Sequence, residues 1–275
     1  MQIVGYDSAE NGLFVSHARG QCDAVGSDCD VETSATDNAD EPTDRDEIEF
    51  VSVSPGTELT YTLGERHCAG TIHDSRHIAC DNPNAPYCDD HRHTWVCARC
   101  TGTCLKDEMD CFEEHAIYLA AFAPDSFKVG VTKHWRLETR LREQGADRAA
   151  HINTVANGRI ARELEAEIAE RIPDRVRVPT KRAGLGDRVD DDAWTELLSS
   201  FEPIETVSFD YGLDLDSQPV AETIATGTVR GTKGRLIVID RGGSSYAVDL
   251  RELVGYEIRD EPSSRQLQSS LGSFG

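Results

Sequence analysis

The rhythm of apolar and polar positions changes several times along the chain. Residues 1–20 hold two short apolar runs on either side of a polar stretch at 7–12, which predicts a β-hairpin. Residues 21–47 are dominated by Asp and Glu and hold almost nothing apolar, so they read as a solvated, disordered insertion. Strand-length runs return at 48–54 and 59–63, with Pro55-Gly56 as the turn between them. The unbroken run Ala116-Ile117-Tyr118-Leu119-Ala120-Ala121-Phe122 predicts a buried strand. Pro124-Asp125 then turns the chain into a second strand at 127–132. The period becomes helical over 134–144, and Gly145 stops that helix. A short strand at 151–155 follows. Asn157-Gly158 opens another helix, in which Ile160, Leu164 and Ile168 recur at i, i+4 and i+8, and Pro173 ends it. Residues 181–199 read as a charged connector with a helix at 191–199. The last third returns to β, with strands at 204–209, 225–230, 235–240 and 246–250 and Gly-rich turns between them. Residues 261–275 are a polar, Ser-rich tail.

These elements give an α+β chain with a small β-rich domain drawn from both ends. The expected divisions are a β segment at 1–66 carrying the acidic insertion, a cysteine/histidine module at 67–115 and an α/β unit at 116–180. A connector at 181–200, a C-terminal β segment at 201–260 and the tail complete it. The strands of the two ends are expected to pair with each other. The order of elements shows no internal repeat.

Charge changes the picture in one way. The chain carries 28 basic and 50 acidic residues, a net −22. Such an acidic, Lys-poor balance resembles proteins of salt-saturated cytoplasm, where dense carboxylates keep a surface hydrated. It opposes approach to nucleic acid at low salt. In molar salt the repulsion is screened within about 3 Å, so the sign of the charge excludes no phosphate-bearing partner. The first twenty residues lack the apolar core of a secretory signal. No run of 18 apolar residues exists to span a membrane. The expectation is a cytoplasmic protein with reduced thiols and no membrane partner.

Those thiols are the strongest chemical signal. Seven of the nine cysteines lie between residues 68 and 111. With the histidines among them, the candidate metal ligands are Cys68, Cys80, Cys88, His91, Cys97, Cys100, Cys104, Cys111 and His115. Their local spacings are C-x2-H, C-x2-C, C-x3-C and C-x3-H, which let a turn bring two side chains onto one tetrahedral ion. Nine candidates suffice for two closed, structural zinc sites with one residue left over. The stretch has too little apolar content to fold without metal. Cys68, Cys80, Cys88 and His91 make the first site. Cys104, Cys111 and His115, with either Cys97 or Cys100, make the second. Cys22 and Cys29 lie apart and read as free thiols, and His67, His73, His77 and His93 read as non-ligands.

The stretch 116–178 holds 11 basic against 9 acidic residues, a small positive balance in a chain of −22 that makes it the least unfavourable place for a phosphate. Ile117-Tyr118, Lys128-Val129-Gly130-Val131-Thr132, Arg140-Leu141 and Leu164-Glu165 stand in an order that resembles the GIY-YIG nuclease core, a β-β-α-β-α unit. Nearly the whole chain also resembles a zinc-binding family of unknown function from bacteria and haloarchaea. That likeness lies in Cys104, Cys111, His115, Tyr118-Leu119-Ala120, Lys128–Thr132, Arg140 and Glu143-Gln144-Gly145-Ala146. It implies the architecture and no activity. The nuclease likeness implies Tyr118 as general base, with its phenol acidified by nearby cations. It implies Arg140 on the phosphate and Glu165 on one Mg2+. Lys128 replaces that family's second tyrosine; lysine neutralises phosphate but cannot both donate and accept hydrogen bonds as a phenol does.

Each of these residues also has a plainer role. Tyr118 fits a core, Arg140 fits a solvated helix face beside Arg136 and Arg142, and Glu165 stands one position off the apolar stripe. Gly130 fits a packing or bulge position. His134 and His151 are nearby candidates for proton transfer. Two readings follow: a zinc protein that binds nucleic acid and cuts it with Mg2+, or a zinc-stabilised module that binds RNA or protein without turnover. A thiol-based metal or redox sensor is the third.

Overall fold

The computed structural model describes residues 1–17, 48–73, 76–92, 112–265 and 267. The predicted acidic insertion, most of the tail, Cys22, Cys29, His93, Cys97, Cys100, Cys104 and Cys111 lie outside those residues.

The strands, in chain order, begin with β1 (Gln2–Asp7), β2 (Gly12–Ser16), β3 (Ile48–Ser52) and β4 (Glu58–Arg66). A small hairpin follows, β5 (Thr71–His73) and β6 (Arg76–Ile78). The central unit comprises β7 (His115–Phe122), β8 (Ser126–Lys133), α1 (Leu137–Gln144), β9 (Arg148–Val155) and α2 (Gly158–Ala169). Two shorter helices, α3 (Val178–Ala183) and α4 (Asp191–Leu198), lead to β10 (Glu205–Ser208) and β11 (Val220–Ala221). The chain closes with β12 (Ala225–Lys233), β13 (Leu236–Arg241), β14 (Ser244–Asp249), α5 (Leu250–Leu253) and β15 (Tyr256–Asp260).

Strands from the two ends of the chain share one nine-stranded sheet, ordered β11-β14-β13-β12-β4-β15-β1-β2-β3. In it β4 is the seam. It pairs with β12 on one side and β15 on the other. Ile3, Leu13, Leu59, Ile237, Ile239 and Leu250 are fully buried in the core on this sheet.

The second sheet has the order β10-β9-β7-β8. All eight residues of β7 are buried, because it lies between β8 and β9 and is covered on both faces. One face packs Ile117, Leu119 and Ala121 on Ala161, Leu164 and Ile168 of α2. The other packs Tyr118, Ala120 and Phe122 with Leu141 of α1. A strand covered twice has no polar face, which is why its sequence runs apolar without alternation. The helix expected at 134–144 begins as a single 3-10 turn, His134–Arg136. It ends where predicted, at Gly145 in the left-handed region with φ 69°.

Residues 204–209, expected beside the other C-terminal strands, are corrected by the structure. β10 pairs antiparallel with β9 instead, and Phe209 and Val207 join the core under α1. The two sheets meet where α1 ends. A Cβ on Gly234 would lie 2.6 Å from the Gly145 nitrogen, so the β12–β13 turn presses against the helix terminus. Beside it the Lys233 ammonium bonds both Asp147 oxygens, at 2.7 and 2.8 Å. Asp147 also accepts from the Ala123 amide at 2.9 Å. Among the described residues no helix is long and apolar enough to cross a membrane.

Candidate metal centre and a cationic site in the α/β unit

Cys68 follows β4, Cys80 follows β6, and Cys88 and His91 lie on the turn beyond. The four ligand atoms all lie within 4.8 Å of one another, so three thiols and an imidazole form a cluster that can hold a metal ion. The His91 Nδ1 stands 3.4 Å from the Cys68 Sγ and 3.2 Å from the Cys88 Sγ. Ligands bound at about 2.3 Å around a tetrahedral ion would stand about 3.8 Å apart, so the set fits zinc with small adjustments.

The surrounding backbone is arranged for sulfur. The amides of Gly70 and Cys88 point at the Cys68 Sγ, at 3.4 and 3.3 Å. Gly70 has φ 63°, and a Cβ there would lie 2.0 Å from the Ile78 carbonyl oxygen. Only glycine lets the loop pass under β6 while turning its amide to the thiol. Burial pushes the Cys68 thiol up, against those two amides, which favour the thiolate. For Cys88 the balance falls the other way. Desolvation raises its pKa, but the amides of His91 and Asp90 and its neighbouring ligands bring it down to about 7.

Histidines predicted not to be ligands hold the loops instead. The buried His77 ring bridges the Ser16 hydroxyl and the Ala69 carbonyl, each at 2.9 Å. The His67 Nδ1 bonds the Cys80 carbonyl at 2.9 Å. Of the expected second metal site only His115 is described. It is buried at the start of β7, with Nδ1 donating to the Glu113 carbonyl at 2.7 Å.

The α/β unit brings Tyr118, Lys128, Arg140 and Glu165 into one electrostatic neighbourhood. Tyr118 is buried on the α1 face of β7, opposite Gly130 of β8. A Cβ on Gly130 would lie 2.6 Å from both the ring carbon Cζ and the hydroxyl of Tyr118, so the ring occupies the space the glycine leaves. The hydroxyl accepts from the Gln144 Nε2 at 2.7 Å. Arg140 lies near enough to favour the phenolate, as does Gln144, and Glu165 opposes it.

The predicted acidification of Tyr118 is reversed. Burial raises its pKa, and this outweighs Gln144 and Arg140. The phenol therefore keeps its proton at neutral pH. The group brought into a basic range is Lys128, which burial pushes down to about 8, with Glu165 acting to raise it and Arg140 to lower it further. Arg140 is exposed and paired with Glu143 at 3.0 Å. Glu165 is sheltered and bonded to Arg162 at 2.6 Å. Among the histidines, His151 is buried against the Asn153 carbonyl and the Thr154 hydroxyl, and its ring lies 5.4 Å from that of exposed His134. Neither bonds the four residues.

Two participants escaped the sequence. Gln144 lies in the Glu143-Gln144-Gly145-Ala146 run, and its position one residue before the helix stop is the signal that was available. Lys181, in α3, carried none. Its ammonium donates to the Gln144 carbonyl at 2.7 Å and sits 4.1 Å above the Phe122 ring.

A family model described as a protein of unknown function (DUF2797) matches residues 56–258. No curated protein and no solved structure matches the chain.

Proposed function

Because the chain belongs to the DUF2797 family, a protein family of unknown function, we propose its activity from the site itself: a zinc-stapled protein that binds nucleic acid through the phosphodiester backbone. The observation that carries this reading is Lys128 on the same face of the sheet as Tyr118, with Arg140 and Glu165 acting on both the tyrosine and the lysine. Arg140 would fork onto the phosphate and Lys128 would neutralise it, while the buried Tyr118 hydroxyl, bonded to Gln144, would hold that amide in place. Cys68, Cys80, Cys88 and His91 would hold one structural zinc. His115 with Cys104, Cys111 and either Cys97 or Cys100 would hold a second. Reduced thiols suit a cytoplasmic location.

Mg2+-dependent cleavage by a GIY-YIG-like core is a second reading. The element order β7, β8, α1, β9, α2 around a central β7 favours it. So does a lysine with a pKa of about 8, which could take a proton from water. Glu165 would hold the ion once Arg162 gave way, and the ion would supply charge neutralisation at the leaving oxygen.

One experiment separates the two. Zinc-loaded protein is incubated with DNA and RNA in molar KCl, with and without Mg2+, beside Arg140→Ala and Glu165→Ala. Binding that drops about tenfold in Arg140→Ala supports the first reading. Cleavage that needs Mg2+ and is lost in both variants supports the second. Absence of binding at every salt concentration removes both.

A further inference from the structure

Lys128 and Lys181 stand apart from the other basic groups of this site. Among the described residues no carboxylate oxygen lies within 4.0 Å of either ammonium. Lys233 is held by Asp147 and Arg235 by Asp249, each at 2.7 Å. Both lysines are half-buried in a chain of net charge −22, where acidic partners abound.

Their placement is set by rigid elements. Lys128 pairs in register with Ala120, so its side chain leaves β8 on the face shared by Tyr118 and Phe122. Lys181 reaches the same row from α3, over the Phe122 ring. Its bond to the Gln144 carbonyl, and the bond from Gln144 to the Tyr118 hydroxyl, tie the far lysine to the tyrosine through one residue.

Gln144 adds an independent sign. Its Oε1 is buried with no partner. Amide orientation can reverse, since the two ends differ little in shape. Tyr118 would then donate to Oε1, and the NH2 group would face the place where the unsatisfied oxygen had been. An anion there would accept from it.

The geometry points to a phosphate clamp: Lys181 of α3, over Phe122, and Lys128 of β8, beside Ala120, grip one phosphate group on this face of β7, with Arg140 and the Gln144 amide as further donors. The ligand class rests on the nucleic-acid reading above; Lys181 is what is new. The clamp holds like charges together. Burial, with Lys128, Arg235, Arg140 and Lys233 nearby, brings Lys181 down to about 7. A bound dianion would reverse that repulsion.

The test titrates inorganic phosphate into full-length, zinc-loaded protein in Mg2+-free chloride buffer by calorimetry, for wild type, Lys181→Met and Lys181→Arg. The clamp requires wild-type binding, a loss of about tenfold in Lys181→Met, and recovery of most of it in Lys181→Arg. Should Lys181→Met fail to fold, the side-chain NMR signals of Lys181 in the wild-type protein must still move with added phosphate. No uptake by the wild type, equal binding by folded Lys181→Met, or unmoved lysine signals overturns it. A phosphorylated oligonucleotide assayed in parallel distinguishes the two ideas. Phosphate binding that depends on Lys181 without oligonucleotide binding leaves the clamp and removes the nucleic-acid reading. Oligonucleotide binding indifferent to Lys181→Met does the reverse.

Discussion

Gly130 shows how little room this site leaves at single residues. The Tyr118 ring fills the position a side chain would take, and that ring is packed and hydrogen-bonded, so it cannot swing away. Gly130→Ala is expected to destabilise the protein by roughly 1–3 kcal/mol, the usual range for overpacking, in urea unfolding. At the metal cluster, Cys88→Ala should lower bound zinc by one equivalent per chain in elemental analysis, since three remaining ligands close a structural site poorly. Lys181 carries a pH signature. Its pKa is about 7 when folded, against 10.5 for the free side chain. Between those values the unfolded chain holds a proton the folded one lacks, so its contribution to stability rises with pH. Below about pH 7 both states are protonated and the folded state bears the full cost of crowding with Lys128, Arg140, Lys233 and Arg235. The facing acids Asp147 and Asp249 are each committed to one of those cations. The stability of Lys181→Met relative to wild type should therefore fall as pH rises from 6 to 10. Thermal melts across that range would show it, and a constant difference would refute it.

At the scale of elements, the joint between the two sheets is the informative place. The β12–β13 turn presses on the end of α1, and Lys233 reaches across to Asp147, which also receives the Ala123 amide. Both members are largely buried, at 8% and 18% side-chain exposure. Removing one leaves the other charge uncompensated, which costs far more than an exposed pair is worth. Lys233→Ala should lose about 3 kcal/mol in chemical denaturation. The double change with Asp147→Ala should recover part of that loss. β10 belongs to the same lesson. Its sequence reads as one more short strand of the last third, and only the free edge of β9 decides where it goes.

For the whole molecule, charge is the governing quantity. A net −22 repels itself and any nucleic acid at low ionic strength. Raising KCl from 0.1 to 2 M should raise the melting temperature, because the Debye length shrinks from about 10 Å to a few ångströms. A chain that melts lower in high salt would show that self-repulsion of its carboxylates does not govern its stability. The cationic group of half-buried Lys128 and Lys181 with exposed Arg140 is then a local exception in a strongly acidic chain.

The sequence alone determined what depends on neighbours along the chain. The C-x2-H unit of Cys88 and His91 pointed to the cluster, because close-set ligands need only a turn to converge, whereas Cys68 and Cys80 reach it through the β5–β6 hairpin. The run at 116–122 announced a strand covered on both faces, and Gly145 and Asn157 marked helix ends through local backbone chemistry. What depends on distant segments was decided by tertiary structure. The pairing of strands from the two ends was expected, but the place of β4 between β12 and β15, the defection of β10, and the approach of Lys181 to Gln144 arise from packing between surfaces that no local pattern encodes. The Tyr118 phenol makes the same point. Its cationic neighbours were readable in order, but its burial, which prevails over them, exists only once the sheet and α1 have closed around it.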